Sequence, residues 1–513
     1  MSKPKILYRV SMTALAVAAL YFGSTGGARA GQLTAEELQV ELNNLQSQII
    51  ALKAQQEALT QAQAQVTRQA AQQRILIASE TKVLAERQAA VPKGPKSDWY
   101  MTGDRPAPDF YTRDNKTFFR IGGDLAIDSV VATVPRPGTA AGGLNGGASG
   151  MVNFRRAQIQ MSGVYETHYL WKIQENLANA TSPLGGLLDA YIGYQTTKGD
   201  ITHTFLVGSQ FTPFGFQTSG NGQLFMEDEL GNNIFQRPRQ VGITGRESSN
   251  KFNLWYGLTT VASKSTPSYE PYIGNTQWTV SGVFAWNFMN YFNGSTGHLL
   301  SVRASADYNR MNAQSDNGLV VANESTFSSY PDIDTYGNDF INTGALNLQS
   351  DLLLSPRVDF EWNRLVLAAD YWYMKTDTNA GMYRGLKLQP TFTSWDIEGE
   401  YFLTPDVENY STAFGHYIAN VPNHPVTEGG IGSLAITGRL DEANLNSTKY
   451  GIHGGNETNL SVGLNWWPMA YTHVILQYTK VFPISGSDVK GSVNYDNSGK
   501  SASIVALRLE QLF

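Results

Sequence analysis

The sequence predicts an all-β transmembrane barrel of about 16 antiparallel strands, preceded by a periplasmic α-helical coiled coil. From about Phe118 to Phe513, apolar and polar residues alternate in short runs, and the connections between runs are short and long by turns. No stretch of the mature chain approaches the about 20 uninterrupted apolar residues of a helical span. A membrane chain without such spans must satisfy its backbone by closing a barrel.

The chain opens with Lys3, Lys5 and Arg9 ahead of an apolar run from about Ser11 to Gly23, and Ala28-Arg29-Ala30 offers the small residues that a signal peptidase reads. Residues 1–30 are therefore expected to be a secretory signal removed at about Gly31, the apolar run being too short for an anchor. Residues 31–91 change character. Between Leu38 and Leu84 there is no Gly or Pro, and with Leu38 at d the seam holds Leu45, Leu52, Leu59 and Val66 at d and Leu42, Ile49, Ala70, Ile77 and Leu84 at a. Gln56, Gln63 and Gln73 interrupt the seam, as register-fixing amides do, and the Ile and Leu mixture leaves dimer and trimer open. Pro92-Lys93-Gly94-Pro95 ends the helix, and residues 92–117, with Pro106 and Pro108, read as a linker to the barrel at 118–513.

Within 118–513 the alternation places strands beginning near Phe118, Met151, His168, Gly186, Ile201, Arg239, Lys251, Thr276, His298, Ser355, Leu365, Lys387, Ile431, Asn459, Tyr471 and Ser501. After even-numbered strands the connections are short, as at Thr197 to Asp200, Glu247 to Asn250, Asn293 to Gly297, Asn363-Arg364 and Trp467-Pro468-Met469. After odd-numbered strands they are long, as at Pro135 to Gly150, Thr212 to Pro238, Met311 to Ser350 and Gly486 to Lys500. That parity is the bacterial barrel layout, with both chain ends on the short-turn side. The connection from Thr404 to Gly430 breaks the rule, being long where a short turn is expected. The last strand carries apolar residues at 505, 507, 509 and 513 with Arg508 and Glu510 between, so one face suits lipid and the other water. Its terminal Phe513 is an expected signal for the barrel assembly machinery. The absence of cysteine excludes disulfides and thiolate metal sites. The 49 glycines and 25 tyrosines suit strands with aromatic girdles, and no fixed short repeat suggests a solenoid.

Particular residues then resemble a known family. Phe154-Arg155-Arg156, the run Leu188 to Tyr194, the run Val207 to Gly215, Phe225-Met226-Glu227, Arg239-Gln240-Val241-Gly242 and Leu464 to Pro468 resemble, in this order, the phosphate-selective porin O/P family. The resemblance spans roughly Phe118 to Phe513. It implies a sixteen-stranded outer-membrane barrel, usually a homotrimer, with an inward-folded third external loop that narrows the pore. An N-terminal periplasmic coiled coil also occurs in DcaP-like porins, a related group. Where the family often has a lysine before the Thr-Pro-Phe turn, this chain has Phe211, which sets it apart from the phosphate-binding pattern.

Pore selectivity depends on lumen charge, and sorting by face directs Arg120, Asp124 and Asp128 of strand one inward, with Arg156 on two, Lys172 on three and Arg246 on six. It adds Arg303 and Asp307 on nine, Arg357, Asp359 and Glu361 on ten, and Asp370 on eleven. Arg439 and Asp441 on thirteen and Arg508 and Glu510 on sixteen complete the set. Residues 97–513 carry 27 Lys and Arg against 38 Asp and Glu, a net of −11, yet the inward set is balanced and the surplus acids, such as Asp332, Asp334 and Asp339, fall in loops. Two readings of the arginines stand side by side. They pair with neighbouring acids, as Arg303 with Asp307 or Arg439 with Asp441, or several converge at a constriction where guanidinium groups hold anions bidentately. The third long loop, with Glu227, Asp228 and Glu229 before Arg237 and Arg239, is the expected eyelet, its acids facing wall arginines across the pore.

No G-x-S-x-G, H-E-x-x-H or Walker loop is present, and the seven histidines lack metal-ligand spacing, so neither an enzyme nor a cofactor is expected. The expectation is a porin in the bacterial outer membrane, with its coil in the periplasm. It would pass small hydrophilic solutes passively, anions such as phosphate or dicarboxylates being the class lumen arginines favour. The alternative is an envelope-tethering protein whose coil, about 47 residues at 1.5 Å each, reaches toward peptidoglycan. Outer-membrane lipid and a homotrimer are the expected partners, and nucleic acid is not.

Overall fold

In a computed structural model the described residues are 99–513, apart from 103–106, 108, 138–143, 180–185, 216–222, 238, 263–277, 291–297, 312–313, 317–318, 322–323, 330–338, 380–385, 412–413 and 488–496. The expected signal at 1–30 and coil at 31–91 lie outside them.

Sixteen strands form the wall: β1 Phe118–Pro137, β2 Leu144–Tyr165, β3 Tyr169–Asn176, β4 Leu187–Lys198, β5 Ile201–Gln210, β6 Gln240–Ser248, β7 Phe252–Ala262 and β8 Trp278–Asn290. The second half comprises β9 His298–Arg310, β10 Leu346–Trp362, β11 Leu365–Thr378, β12 Thr391–Phe402, β13 Ser433–Ser447, β14 Ile452–Trp467, β15 Thr472–Val481 and β16 Ala502–Leu512. Each pairs antiparallel with the next, and β16 pairs with β1 through Arg508 and Asp128, so no edge is left open. Phe513 extends this seam, exchanging backbone hydrogen bonds with Gly123 at 2.8 and 3.1 Å. A side chain at Gly123 would stand 2.5 Å from the Phe513 ring, so only glycine leaves the terminal aromatic its seat. Ahead of the barrel, in the stretch read as a linker, Trp99–Thr102 pairs with Asp109–Thr112, which in turn pairs with the start of β1.

Period-two burial follows the sequence. On β9 Ser301, Arg303, Ser305, Asp307 and Asn309 are buried inside, while Val302 and Tyr308 are exposed outside, forming part of the lipid-facing apolar band. At the short-turn end, Asn363 and Tyr471 sit at φ 54 and 68, the left-handed geometry that lets a chain reverse within a few residues.

Three strands begin well ahead of where alternation suggests, one of them β14, at Ile452 rather than near Asn459. β2 starts at Leu144, where a long hairpin with β1 continues through the Gly-rich stretch expected to be loop. β10 starts at Leu346, because a bulge between Leu348 and Ser350 breaks the two-residue period that would have revealed it.

The interior is not uniformly wet, contrary to the simplest reading of the alternation. Val130, Trp372, Phe392, Ile475 and Ile504 point inward from the wall and bury Phe214, Met226, Leu230 and Phe235 of the connection between β5 and β6. Phe327 and Phe340 of the connection between β9 and β10 join the same core. Each such side chain withdrawn from water contributes about 1.5–3 kcal/mol, so two long loops are held inside the barrel as a small hydrophobic core.

Candidate functional site

The connection from β5 to β6, the third on the long-loop side, crosses the lumen. Its backbone is caught at successive points: the Asn465 amide donates to the Leu224 carbonyl at 2.8 Å, the Met226 N–H donates to Gln477 Oε1 at 2.9 Å, and the Leu230 N–H donates to Asp441 at 3.1 Å. One short helix follows, α1 Leu230–Phe235. Gly231 lies so close to Trp372 that a β-carbon there would meet the indole at 2.3 Å.

Glu227 is the electrostatic centre of this crossing. Arg155 grips its carboxylate with two hydrogen bonds of 2.8 Å, and Arg508 adds one of 2.7 Å while holding Asp128 with two more of 2.7 Å. Arg508 also donates to the Met226 carbonyl, and Arg439 donates to the Glu227 carbonyl at 3.1 Å. Burial alone would raise the Glu227 carboxyl, but Arg155 and Arg508 overcome it and hold the group at about 2. Its neighbour Asp228 is pushed up to about 6 by burial and by the charge of Glu227, and Glu229 is raised well above the usual range by burial and by Asp370 and Asp228.

Arg155 is a residue that strict alternation misses. A bulge opposite Ala126 and Ile127 leaves it outside the β1–β2 register, so Arg155 and Arg156 both reach inward while Phe154 stays outside. Arg156 binds Asp124 at 2.8 Å and Glu510 at 2.5 Å. Two adjacent arginines in a strand of alternating pattern are the one signal that could have pointed to it.

The other expected residues fall into four settings. Arg120 sits at the start of β1 and is held by Asp109 at 2.5 Å, beside the strand that precedes the barrel. Arg357 binds Asp359, Asp370 and Glu398, at 2.8, 3.1 and 2.8 Å, and Arg439 lies 3.7 Å from Asp441 and 3.9 Å from Glu398. Lys172 and Arg239 share Asp189, at 2.6 and 2.7 Å, and the Arg239 guanidinium lies 3.7 Å over the Phe211 ring. Arg246 stacks on Trp255 at 4.6 Å and on Phe414 at 5.2 Å, and among the described residues it has no carboxylate partner.

Arg303 and Asp307 do not pair with each other. Four residues along a strand are about 13 Å, too far for contact. Asp307 instead takes Arg237 at 2.8 Å, with Asp351 on the same guanidinium, and Arg303 donates to the Gly415 carbonyl.

Gly415 belongs to the long connection that broke the turn parity. Its core is a hairpin, Asn409–Ser411 with His416–Ile418, folded into the lumen from the short-turn end. Tyr410 and Tyr417 pack on Leu299 and Val366, and the hairpin tip brings Phe414 over Arg246. The barrel is therefore entered from both ends, by the β5–β6 loop and by this hairpin.

The lumen cations are unequally reachable. The side chains of Arg357, Arg439 and Arg508 are 1, 1 and 0 % exposed, sealed beneath the two insertions. Those of Arg155, Lys172 and Arg239 are 27, 21 and 19 % exposed.

The family comparison agrees with this architecture. The family model described as phosphate-selective porin O and P matches residues 140–509. An uncharacterized protein of Caulobacter vibrioides is 23 % identical over 402 residues, covering 76 % of this chain and 74 % of the relative. Among solved structures, OmpT of Vibrio cholerae in its trimer form has a TM-score of 0.44 at 11 % identity, covering 77 % of this chain and 99 % of that one. The anion-selective porin of Comamonas acidovorans has a TM-score of 0.44 at 9 % identity, covering 77 and 100 %. With a family match running through the barrel to within a few residues of its closing strand's end, the chain belongs to the phosphate-selective porin O and P family and is an outer-membrane porin for passive diffusion.

Proposed function

We propose that this porin favours small hydrophilic anions, which pass along the side of the lumen formed by β2 to β7. The observation that carries the reading is the split in cation exposure. Arg155, Lys172, Arg239 and Arg246 line that side, whereas Arg357, Arg439 and Arg508, on β10, β13 and β16, are sealed. Among the described residues Lys172 and Arg239 pair with one acid between them and Arg246 with none, which gives this wall an excess of positive charge despite the acidic chain. A guanidinium or ammonium with spare donors attracts carboxylate or phosphate groups most strongly where walls of low polarity focus the field. Phe211 lies under Arg239, where a further lysine would strengthen phosphate binding, which favours a broad anion preference over a dedicated phosphate site.

The same proposal gives the channel no catalytic step and includes a homotrimer held by the residue 31–91 coil in the periplasm. It also includes recognition of Phe513 by the assembly machinery and contact of the coil with peptidoglycan; these rest on the sequence patterns. Liposome swelling tests the solute class. Small dicarboxylates are expected to enter faster than neutral sugars of equal size and far faster than diamines, and equal rates for all three would refute the anion reading.

A further inference from the structure

We propose that Glu229, Asp370 and Asp396 form a binding site for a divalent cation, calcium or magnesium, that clamps the lumen-crossing loop to the barrel wall. The three residues come from α1's N-terminal boundary, from β11 and from β12, and one carboxylate oxygen of each lies within 4.8 Å of those of the other two. That spacing suits oxygens on opposite sides of one cation at about 2.3–2.6 Å each.

Acid clustering alone is common, and a second observation points to a ligand. Asp396 is 1 % exposed, and neither of its carboxylate oxygens has a hydrogen-bond partner among the described residues; Glu229, 4 % exposed, leaves Oε1 in the same condition. Asp370 is tied on both oxygens, by Trp372 Nε1 at 2.7 Å and by Arg357 at 3.1 Å, which fixes the wall side of the cluster while leaving each oxygen a lone pair.

Charge balance agrees. Arg303, Arg357, Asp370, Asp396 and Asp441 are register partners on the five successive strands β9 to β13. Arg357 is shared among Asp359, Asp370 and Glu398, and Arg439 between Asp441 and Glu398, so two guanidinium groups face four carboxylates. Among the described residues no salt bridge reaches Asp396 or Glu229, so the cluster holds an excess of buried negative charge that a divalent ion would reduce. An all-oxygen donor set selects calcium or magnesium over softer metals, and water would complete the coordination.

The test uses the full chain refolded in detergent without lipopolysaccharide, itself a divalent-cation binder, and stripped with EDTA at neutral pH. Calorimetric titration with calcium and with magnesium is expected to show one ion per chain for at least one of them. Asp396→Asn and Glu229→Gln should each weaken that binding at least about tenfold, given that each removes a charged ligand. Terbium gives a local readout that does not depend on those variants folding. Trp372 touches the cluster, so tryptophan-sensitised emission should appear on binding and fall sharply in Trp372→Phe, which removes the donor ring but no ligand. The absence of stoichiometric binding in the wild type, as when the carboxyls share protons instead, would overturn the site. So would binding and emission that survive all three substitutions.

Discussion

Arg508 of the closing strand β16 and Glu227 of the lumen-crossing loop stand 2.7 Å apart, with Asp128 of the opening strand β1 on the same guanidinium. One side chain thus ties the barrel's seam to the element that narrows it. Glu227→Gln would strip Arg155 and Arg508 of a buried counter-charge, and breaking such a pair costs about 3–5 kcal/mol. Because Arg508 keeps Asp128, the low end is expected. Guanidinium unfolding of the refolded barrel should show the loss, and single-channel records should show larger, noisier currents.

The pH dependence of this seat follows from two neighbours with opposite signs. Glu227 is held down at about 2 against an ordinary 4.5, so the stability it contributes is present above 4.5 and lost as the pH falls toward 2. Asp228 is pushed up to about 6 from 3.8, so its contribution is present below 3.8 and lost as the pH rises through 6. The loop should therefore be quietest at about pH 4, where both contributions are largely present, with current noise growing toward pH 2 and toward pH 6; noise that is lowest at neutral pH would contradict this.

Packing against Trp372 gives a steric prediction. Gly231→Ala places a methyl where the indole already lies, and overpacking of this kind costs about 1–3 kcal/mol. The variant should unfold at lower denaturant with its β-sheet spectrum intact, and Trp372→Leu in the same chain should restore part of the loss.

The hairpin from the short-turn end should act as a restriction rather than a support, since β12 and β13 pair independently of it through Phe402 and Ala435. Replacing residues 405–430 with a four-residue turn should leave a folded barrel and raise conductance by about twofold or more, as expected on removing a constriction. Unchanged conductance would mean that ions do not pass the hairpin tip.

The barrel was legible because membrane strands obey a two-residue period and alternating loop lengths, both of which survive in one sequence. That period alone directs Arg156, Asp128 and Arg508 inward, where they form ion pairs in the structure. It misses Arg155 and the early start of β10, because a bulge shifts the period by one residue. The hairpin at 409–418 and the apolar patch around Trp372 were hidden for another reason. The hairpin packs on Leu299 and Val366 of strands it does not adjoin in sequence, Trp372 packs on Phe214 and Phe235 of the β5–β6 loop, and inward-facing Trp372 or Phe392 looks in sequence like any girdle aromatic. Arg303 and its partner Gly415 are likewise far apart in the chain.

The central claim is that the reachable lumen wall is basic although the chain is acidic. Reversal potential in a potassium chloride gradient measures this most directly, for the wild type and for Lys172→Glu combined with Arg246→Glu. The account predicts an anion-selective wild type and a shift toward cation selectivity in the double variant; a cation-selective wild type, or a potential unmoved by reversing both charges, would contradict it.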